Sequence, residues 1–410
     1  MDGRILIRFA LAAALVSASA CNQVTSDFAC AVDGDCTLES GADGHCEPNQ
    51  RCSYADTECA SGYRYGDFAG SFSDQCATTD DCAVEVRAGV HDTCVRRGDG
   101  SVWCWGDGTQ TTTQVDLPAG AVAQIDVAGA GLCARYADGS LNCAVGATTG
   151  DLGLSTKDLS IGTSHLCAIT DGHVACWGSD SHGELGDGNM TASTTPAAVI
   201  AIFDGRQIAA GLETTCAITG SGVWCWGDNS RDQLGQGLVS ADYATTPVSV
   251  NVSAAPSAVT VGDRFACALT QDGLVRCWGD DTMGQIGQGS TSDTEDSPLQ
   301  VHDLTGIVEV TAAGSHACAR DGNGSVWCWG SNATHESAAA AETKITKPAL
   351  VVDSAGAALT FLDVDAGASH TCGRTTDGAI MCWGNNADGQ IGDGTFATAI
   401  YPTPSVVGCR

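Results

Sequence analysis

The sequence predicts an all-β chain built from seven repeats, and three observations predict it. Fourteen of the 23 cysteines fall into seven pairs: Cys94 with Cys104, Cys133 with Cys143, Cys167 with Cys176, Cys216 with Cys225, Cys267 with Cys277, Cys318 with Cys328 and Cys372 with Cys382. Within a pair the cysteines are nine or ten residues apart, and six of the seven second members are followed by Trp-Gly. Successive pairs begin 34 to 54 residues apart, the period of one propeller blade or one solenoid unit.

In chain order, residues 1–20 read as a signal peptide. Arg4 and Arg8 precede an apolar stretch, Phe9 to Val16, and Ala18-Ser-Ala20 stands before Cys21. The stretch suits export but is too short to span a membrane. Two processing routes fit. Ala-x-Ala is a general cleavage site, whereas a small residue before cysteine resembles a bacterial lipobox, with Ala18 where leucine is usual. Cysteine parity favours the second: 23 is odd, and lipidating Cys21 leaves an even number for disulfides. Residues 21–29 are then a tether, and Asn22, not being acidic, points to the outer membrane. Cys30, Cys36, Cys46, Cys52, Cys59 and Cys76 follow within residues 30–81, a segment rich in Gly, Asp and Ser. With so few large apolar residues it cannot build a core. A small module with three disulfides is expected, its pairing open among fifteen.

The repeats themselves are hairpins. In the fifth, apolar and β-branched residues flank Gln271-Asp272-Gly273, and Cys267 and Cys277 are centred on Asp272. Ten-residue pairs centre likewise on Asp99, Asp138, Asn323 and Asp377, each followed by glycine, as a three-residue loop with a left-handed last residue requires. Nine-residue pairs centre between two residues, which suits a two-residue loop. Loop length and cysteine spacing vary together, so the sulfurs stay opposite and seven cross-strand disulfides are expected. Zinc or iron–sulfur half-sites are the competing reading, but the Cys-x-x-Cys spacing they use is missing, so no metal is expected. Seven residues beyond the second cysteine comes Gly-x-Leu/Ile-Gly, at Gly150, Gly183, Gly284 and Gly389, with Asp232-Gln-Leu-Gly235 in the fourth repeat. The first and sixth repeats lack it.

The register Ala-Gly-x-x-His-x-Cys-Ala, Asp-Gly, Cys-Trp-Gly, Gly-Gln-Ile-Gly resembles the regulator of chromosome condensation repeat over about Ala88 to Val407. The resemblance implies a seven-bladed β-propeller, and the hairpin cysteines resemble the family's exported bacterial branch. Residues 82–409 give roughly 47 residues per repeat, the length of a four-stranded blade. Aligning Val407 with Val199 and Gly89 with Gly211 puts Cys409 and Cys82 three places apart in an ordinary inter-blade link. A Cys82–Cys409 bond is therefore expected to staple the ring where the chain ends meet.

Charge narrows the partners. With 49 acidic against 18 basic residues, a net charge of −31 repels nucleic acid and anionic lipid. The acidity reads first as solubility, and no loop fits a twelve-residue calcium pattern. No nucleophile elbow, zinc helix or phosphate loop occurs, so neither catalysis nor a cofactor is expected. His165, His316 and His370 stand two residues before a first cysteine and read as hydrogen-bonding core residues. The tryptophan after the second cysteine recurs and reads as packing. The residue before it varies in polarity, making Trp103, Trp224 and Trp327 candidate ligand contacts. The leading reading is a monomeric, exported, lipid-anchored binding module for a surface protein or glycan. A carbohydrate-active or other hydrolytic enzyme on the same scaffold is the alternative. Guanine-nucleotide exchange, which the family would suggest, conflicts with the export signal and lacks the family's β-wedge.

Overall fold

The computed structural model describes residues 45–46, 52–55, 63–65 and 83–405, apart from 130, 146–147, 152–154, 238–240, 338–340 and 377. Cys21, Cys82 and Cys409 lie outside these residues. Seven four-stranded antiparallel sheets follow one another along the chain from Ala83 to Pro404, and each is made of four consecutive strands. This is a seven-bladed β-propeller. Blade 1 runs from Ala83–Ala88 to Thr109–Gln114 and blade 7 from Phe361–Ala366 to Ala399–Pro404, so neither borrows a strand from the other chain end. A separate three-stranded sheet joins His45–Cys46, Cys52–Ala55 and Tyr63–Tyr65, with Cys46 opposite Cys52 in the backbone register.

The hairpin register places the two cysteines of every blade directly opposite each other, and each pair is bonded. In blades 1 to 3 the bonds are Cys94 to Cys104, Cys133 to Cys143 and Cys167 to Cys176. In blades 4 and 5 they are Cys216 to Cys225 and Cys267 to Cys277. Cys318 to Cys328 and Cys372 to Cys382 complete the set in blades 6 and 7. Their Cα atoms are 4.0–4.1 Å apart throughout, so the nine- and ten-residue spacings reach the same geometry. Gly100, Gly139, Gly273, Gly324 and Gly378 close their loops at positive φ. Thirteen of the fourteen cysteines are buried, and Cys104 is half-buried. The outermost strands of blades 3 to 7 each carry a proline: Pro196, Pro247, Pro298, Pro348 and Pro402. A proline on an edge strand withholds a donor from any incoming chain, which keeps the rim from pairing with neighbours.

The first strand of each blade is innermost, and together these strands line a central channel of about 380 Å³. Its mouths differ. One is ringed by the hairpin turns and the links between blades, hereafter the turn face. The other is ringed by the loops between first and second strands, the loop face.

Candidate functional site

The channel wall is polar, and most of the polar side chains on its innermost strands are taken up in bonds between blades. Asp126, Ser160, Thr260, Thr311 and Asp365 share one register position on the innermost strands. Each accepts a backbone N–H from the next blade: Ile161 at 2.7 Å, Ala210 at 3.1 Å, Ala312 at 2.9 Å, Ala366 at 3.1 Å and Ala88 at 2.8 Å. Two residues nearer the turn face, Asp158 and Gln207 do the same for Ile208 and Val259, at 3.0 and 2.8 Å. Innermost strands have no main-chain partner on their axial side, and an unmet buried N–H is costly. These side chains therefore join blade to blade. Arg87 is flanked in the ring by Asp126 and Asp365, and burial pushes Asp126 up to about 7 despite that cation. Burial also raises Asp365, against the pull of Arg87.

A second joint lies deeper. His165, His316 and His370 are fully buried, and each Nε2 is 2.8 Å from a threonine hydroxyl of the next blade: Thr215, Thr371 and Thr93. Those hydroxyls give their single proton to the carbonyls of Glu184, Glu336 and Gln390, at 3.0, 2.8 and 2.8 Å. Nε2 must then be the protonated nitrogen, and Nδ1 keeps a lone pair with no partner among the described residues. Burial disfavours the imidazolium, pushing His165 and His316 down to about 4 and His370 to about 3. These histidines are hydrogen-bonded core residues; they do not converge on the axis.

Two of these carbonyls, those of Glu184 and Gln390, also hold recurrent tryptophans, and with those of Gln233 and Gln285 they complete a clamp between blades. The indole N–H groups of Trp177 and Trp383 have no partner among the described residues. The indole N–H of Trp226, Trp278, Trp329 and Trp105 donates to Glu184, Gln233, Gln285 and Gln390 at 2.7–2.9 Å. This is the work of Gly-x-Leu/Ile-Gly. The x residue offers its carbonyl to the next blade, while Leu185, Leu234, Ile286 and Ile391 are buried beneath it. The last glycine has φ between +63° and +73°, and a Cβ there would strike the incoming indole. Sequence reasoning missed the rest of the device. Asp180, Asn229, Asp281 and Asn386 accept the N–H five residues on, and the side chain of Glu184, Gln233, Gln285 or Gln390 accepts the N–H two residues back. The recurring Asx and Glu/Gln were the available signal. The sixth repeat, read as lacking the motif, builds the same turn from other residues: Asn332 accepts from Ser337, and Glu336 from Thr334.

Trp103, Trp224 and Trp327 are half-buried. Trp327 packs against the cluster shared by blades 5 and 6, Trp224 against that of blades 3 and 4, and Trp103 against that spanning blades 6, 7 and 1. The indoles of Trp103 and Trp224 donate to Ser101 and Ser221, both at 3.1 Å, and Arg97 sits 4.8 Å over the Trp103 ring. They occupy three separate clefts and are not brought together.

The seam between blades 7 and 1 corrects one alignment. Val199, Val301 and Val351 donate their N–H to Val174, Val275 and Val326, and Ser405 donates to Ile380 in the same way. Ser405, not Val407, therefore occupies the place of Val199. Aligned along the sequence from Ser405 and Gly89, Cys409 and Cys82 match Phe203 and Asp204, which are consecutive rather than three apart. The sulfurs of that pair lie outside the described residues.

Comparison with known proteins agrees with this geometry. The regulator of chromosome condensation (RCC1) repeat matches residues 206–233, 257–285, 307–335 and 361–390, and again 272–320. The chain carries RCC1-like repeats over these residues. It is 30% identical to the ultraviolet-B receptor UVR8 of Arabidopsis thaliana over 60% of this chain and 56% of that one. It is 27% identical to the E3 ubiquitin-protein ligase HERC2 of Homo sapiens over 60% of this chain but only 4% of that one. The fold resembles that of Prp20p from Saccharomyces cerevisiae, with a TM-score of 0.53 at 18% identity, covering 78% of this chain and 76% of that one. The chain thus spans about half of one curated relative and a small fraction of the other. In blades 4, 5 and 7 the matched residues include Gln233, Gln285 and Gln390, whose carbonyls hold the tryptophan of the next blade.

Proposed function

We propose that this RCC1-like propeller is an exported, lipid-anchored binding module that holds a protein or glycan at the cell envelope. The observation that carries the reading is the disulfide in every blade. Seven disulfides of this kind are made and kept in an oxidising compartment, not in a reducing cytosol. Export through residues 1–20 and lipidation of Cys21 account for them together with the odd cysteine. The clamp and the channel-wall bonds occupy most of the polar residues that a catalytic reading would otherwise recruit, so their chemistry is architectural. Binding then falls to the surfaces that differ among blades, and Trp103, Trp224 and Trp327 are the leading contacts. Each shows part of an aromatic face in a rigid frame.

The test is a glycan and envelope-protein array probed with the full mature chain. A hit should weaken by about 1–3 kcal/mol on Trp103→Ala, Trp224→Ala or Trp327→Ala. Turnover of any arrayed glycan would establish the enzyme instead. Indifference of every hit to all three changes would remove the tryptophans from the contact. For the anchor, intact-mass analysis of the membrane fraction should show lipid on Cys21, and Cys21→Ser should release the protein from the membrane.

A further inference from the structure

The turn-face mouth has an apolar half that its own ring leaves uncovered. In blades 1, 2, 5, 6 and 7 the innermost strand carries a β-bulge just inside this mouth, at Val84, Ala123, Ser257, Val308 and Leu362. A bulge leaves one residue without a partner and can turn it outward. Val308, Leu362 and Val84, on the consecutive blades 6, 7 and 1, are 52%, 42% and 36% exposed. The corresponding residues of blades 3 and 4 are Lys157 and Arg206. One side of the mouth is therefore aliphatic, and the other bears the basic residues Lys157, paired with Asp171 at 3.7 Å, and Arg206. The acids under the aliphatic side are neutralised: Glu309 pairs with Arg320 at 2.6 Å, Asp363 with Arg374 at 2.9 Å and Glu85 with Arg96 at 2.8 Å. An apolar arc over paired charges suits a protein surface better than water.

We propose that this arc is the docking surface of the chain's own N-terminal segment, residues 30–82. The segment enters the propeller at Ala83, the neighbour of Val84, so the chain itself tethers it beside the arc and its effective concentration there is high. Tyr54, Tyr63, Tyr65, Phe68 and Phe72 fall in one nineteen-residue stretch of the segment, 11 to 29 residues before Ala83. A stretch this short cannot bury five aromatics in a core of its own, and the arc offers them apolar area. The inference is independent of what the propeller binds.

The experiment uses the oxidised, full mature chain. Hydrogen exchange is followed in peptides covering residues 52–72, for the parent, Leu362→Asp and Val308→Asp, with Arg206→Asp on the basic side as control. Both arc residues are exposed, so the ring should survive; melting temperature and unchanged exchange in blades 3 to 5 check that it does. The arc variants should exchange on the order of tenfold faster across residues 52–72, and Arg206→Asp should not. A photo-crosslinking phenylalanine analogue at position 362 should give cross-links within one chain to residues 54–72. Equal exchange in all four proteins, or cross-links only between two chains, would overturn the proposal; the second result would make the arc an interface between copies.

Discussion

Blade 1 has two neighbours, and the chain treats them in opposite ways. Its junction with blade 7 lacks a peptide link between the described ends yet carries the whole clamp: Thr93 on His370 and Gln390, Trp105 on Gln390, Ala88 on Asp365. Its junction with blade 2 is continuous in sequence and has lost the clamp on both sides. Blade 2 has Leu132 where Thr93 stands in blade 1 and Ala144 where Trp105 stands, while blade 1 replaces the motif loop with a tight turn at Asp107-Gly108. What remains is an apolar cluster of Val102, Val122, Ile125, Leu132 and Tyr136, and a long contact from Glu85 to the Ile125 N–H at 3.3 Å. Peptide continuity supplies a high effective concentration and so permits the loss here, although blades 3–4 and 6–7 are equally continuous and keep their histidine–threonine bonds. At the seam the side chains must do that work. The partners are also lost together: each His165-type histidine faces a threonine, whereas Phe265 faces Ala317 and Thr214 faces Ala266.

Changes at the two junctions should therefore differ in size and reach. The largest effect is expected from Trp105→Ala, about 3–5 kcal/mol in denaturant unfolding, because a fully packed indole and its bond to Gln390 are both lost. The expected Cys82–Cys409 staple comes next. Cys82→Ser and Cys409→Ser should each cost about 2–4 kcal/mol, and the double mutant little more, since one bond is removed in every case. Additive losses would give the two cysteines different partners. Thr93→Val should cost about 1–3 kcal/mol by stranding the His370 Nε2–H, whereas Leu132→Val on the other side of the blade should cost less.

Acid sharpens the comparison further. The histidines have folded pKa values below the unfolded value, so the unfolded chain takes up protons first. Their contribution is intact above pH about 6.5 and is lost as pH falls towards 4. Asp126, raised to about 7, acts in the opposite sense and gains as pH falls through 7. His370→Gln should flatten the loss of stability between pH 6.5 and 4, and Asp126→Asn should steepen it. The smallest effect is kinetic: under mild reduction the Cys94–Cys104 bond should open first, since Cys104 alone among the fourteen is half-buried. Differential alkylation followed by peptide mapping reads the order.

Much of this was legible in the sequence because the hairpin is local. Cysteine spacing and the Asp-Gly turns carried strand register within a blade, and the recurrent Trp-Gly marked the packing residues. What joins blades was not legible. Residues at the Asp126 position are Arg87, Asp126, Ser160, Ala209, Thr260, Thr311 and Asp365, too varied to read as one role until the innermost strands are set side by side. The bulges at Val84, Val308 and Leu362 add no residue that spacing could reveal. The seam alignment slipped by two because Val407 matches Val199 in type, whereas Ser405 matches it in hydrogen bonding.

The seam is best tested by native-state hydrogen exchange in Trp105→Ala beside its counterpart Trp226→Ala. If the clamp replaces peptide continuity at the seam, Trp105→Ala should open Ala83–Ala88 and Phe361–Ala366 locally while blades 3 to 5 keep their protection. Trp226→Ala, whose blades stay tethered, should lower stability without a matching local opening. Equal, ring-wide loss of protection in both proteins would contradict the account.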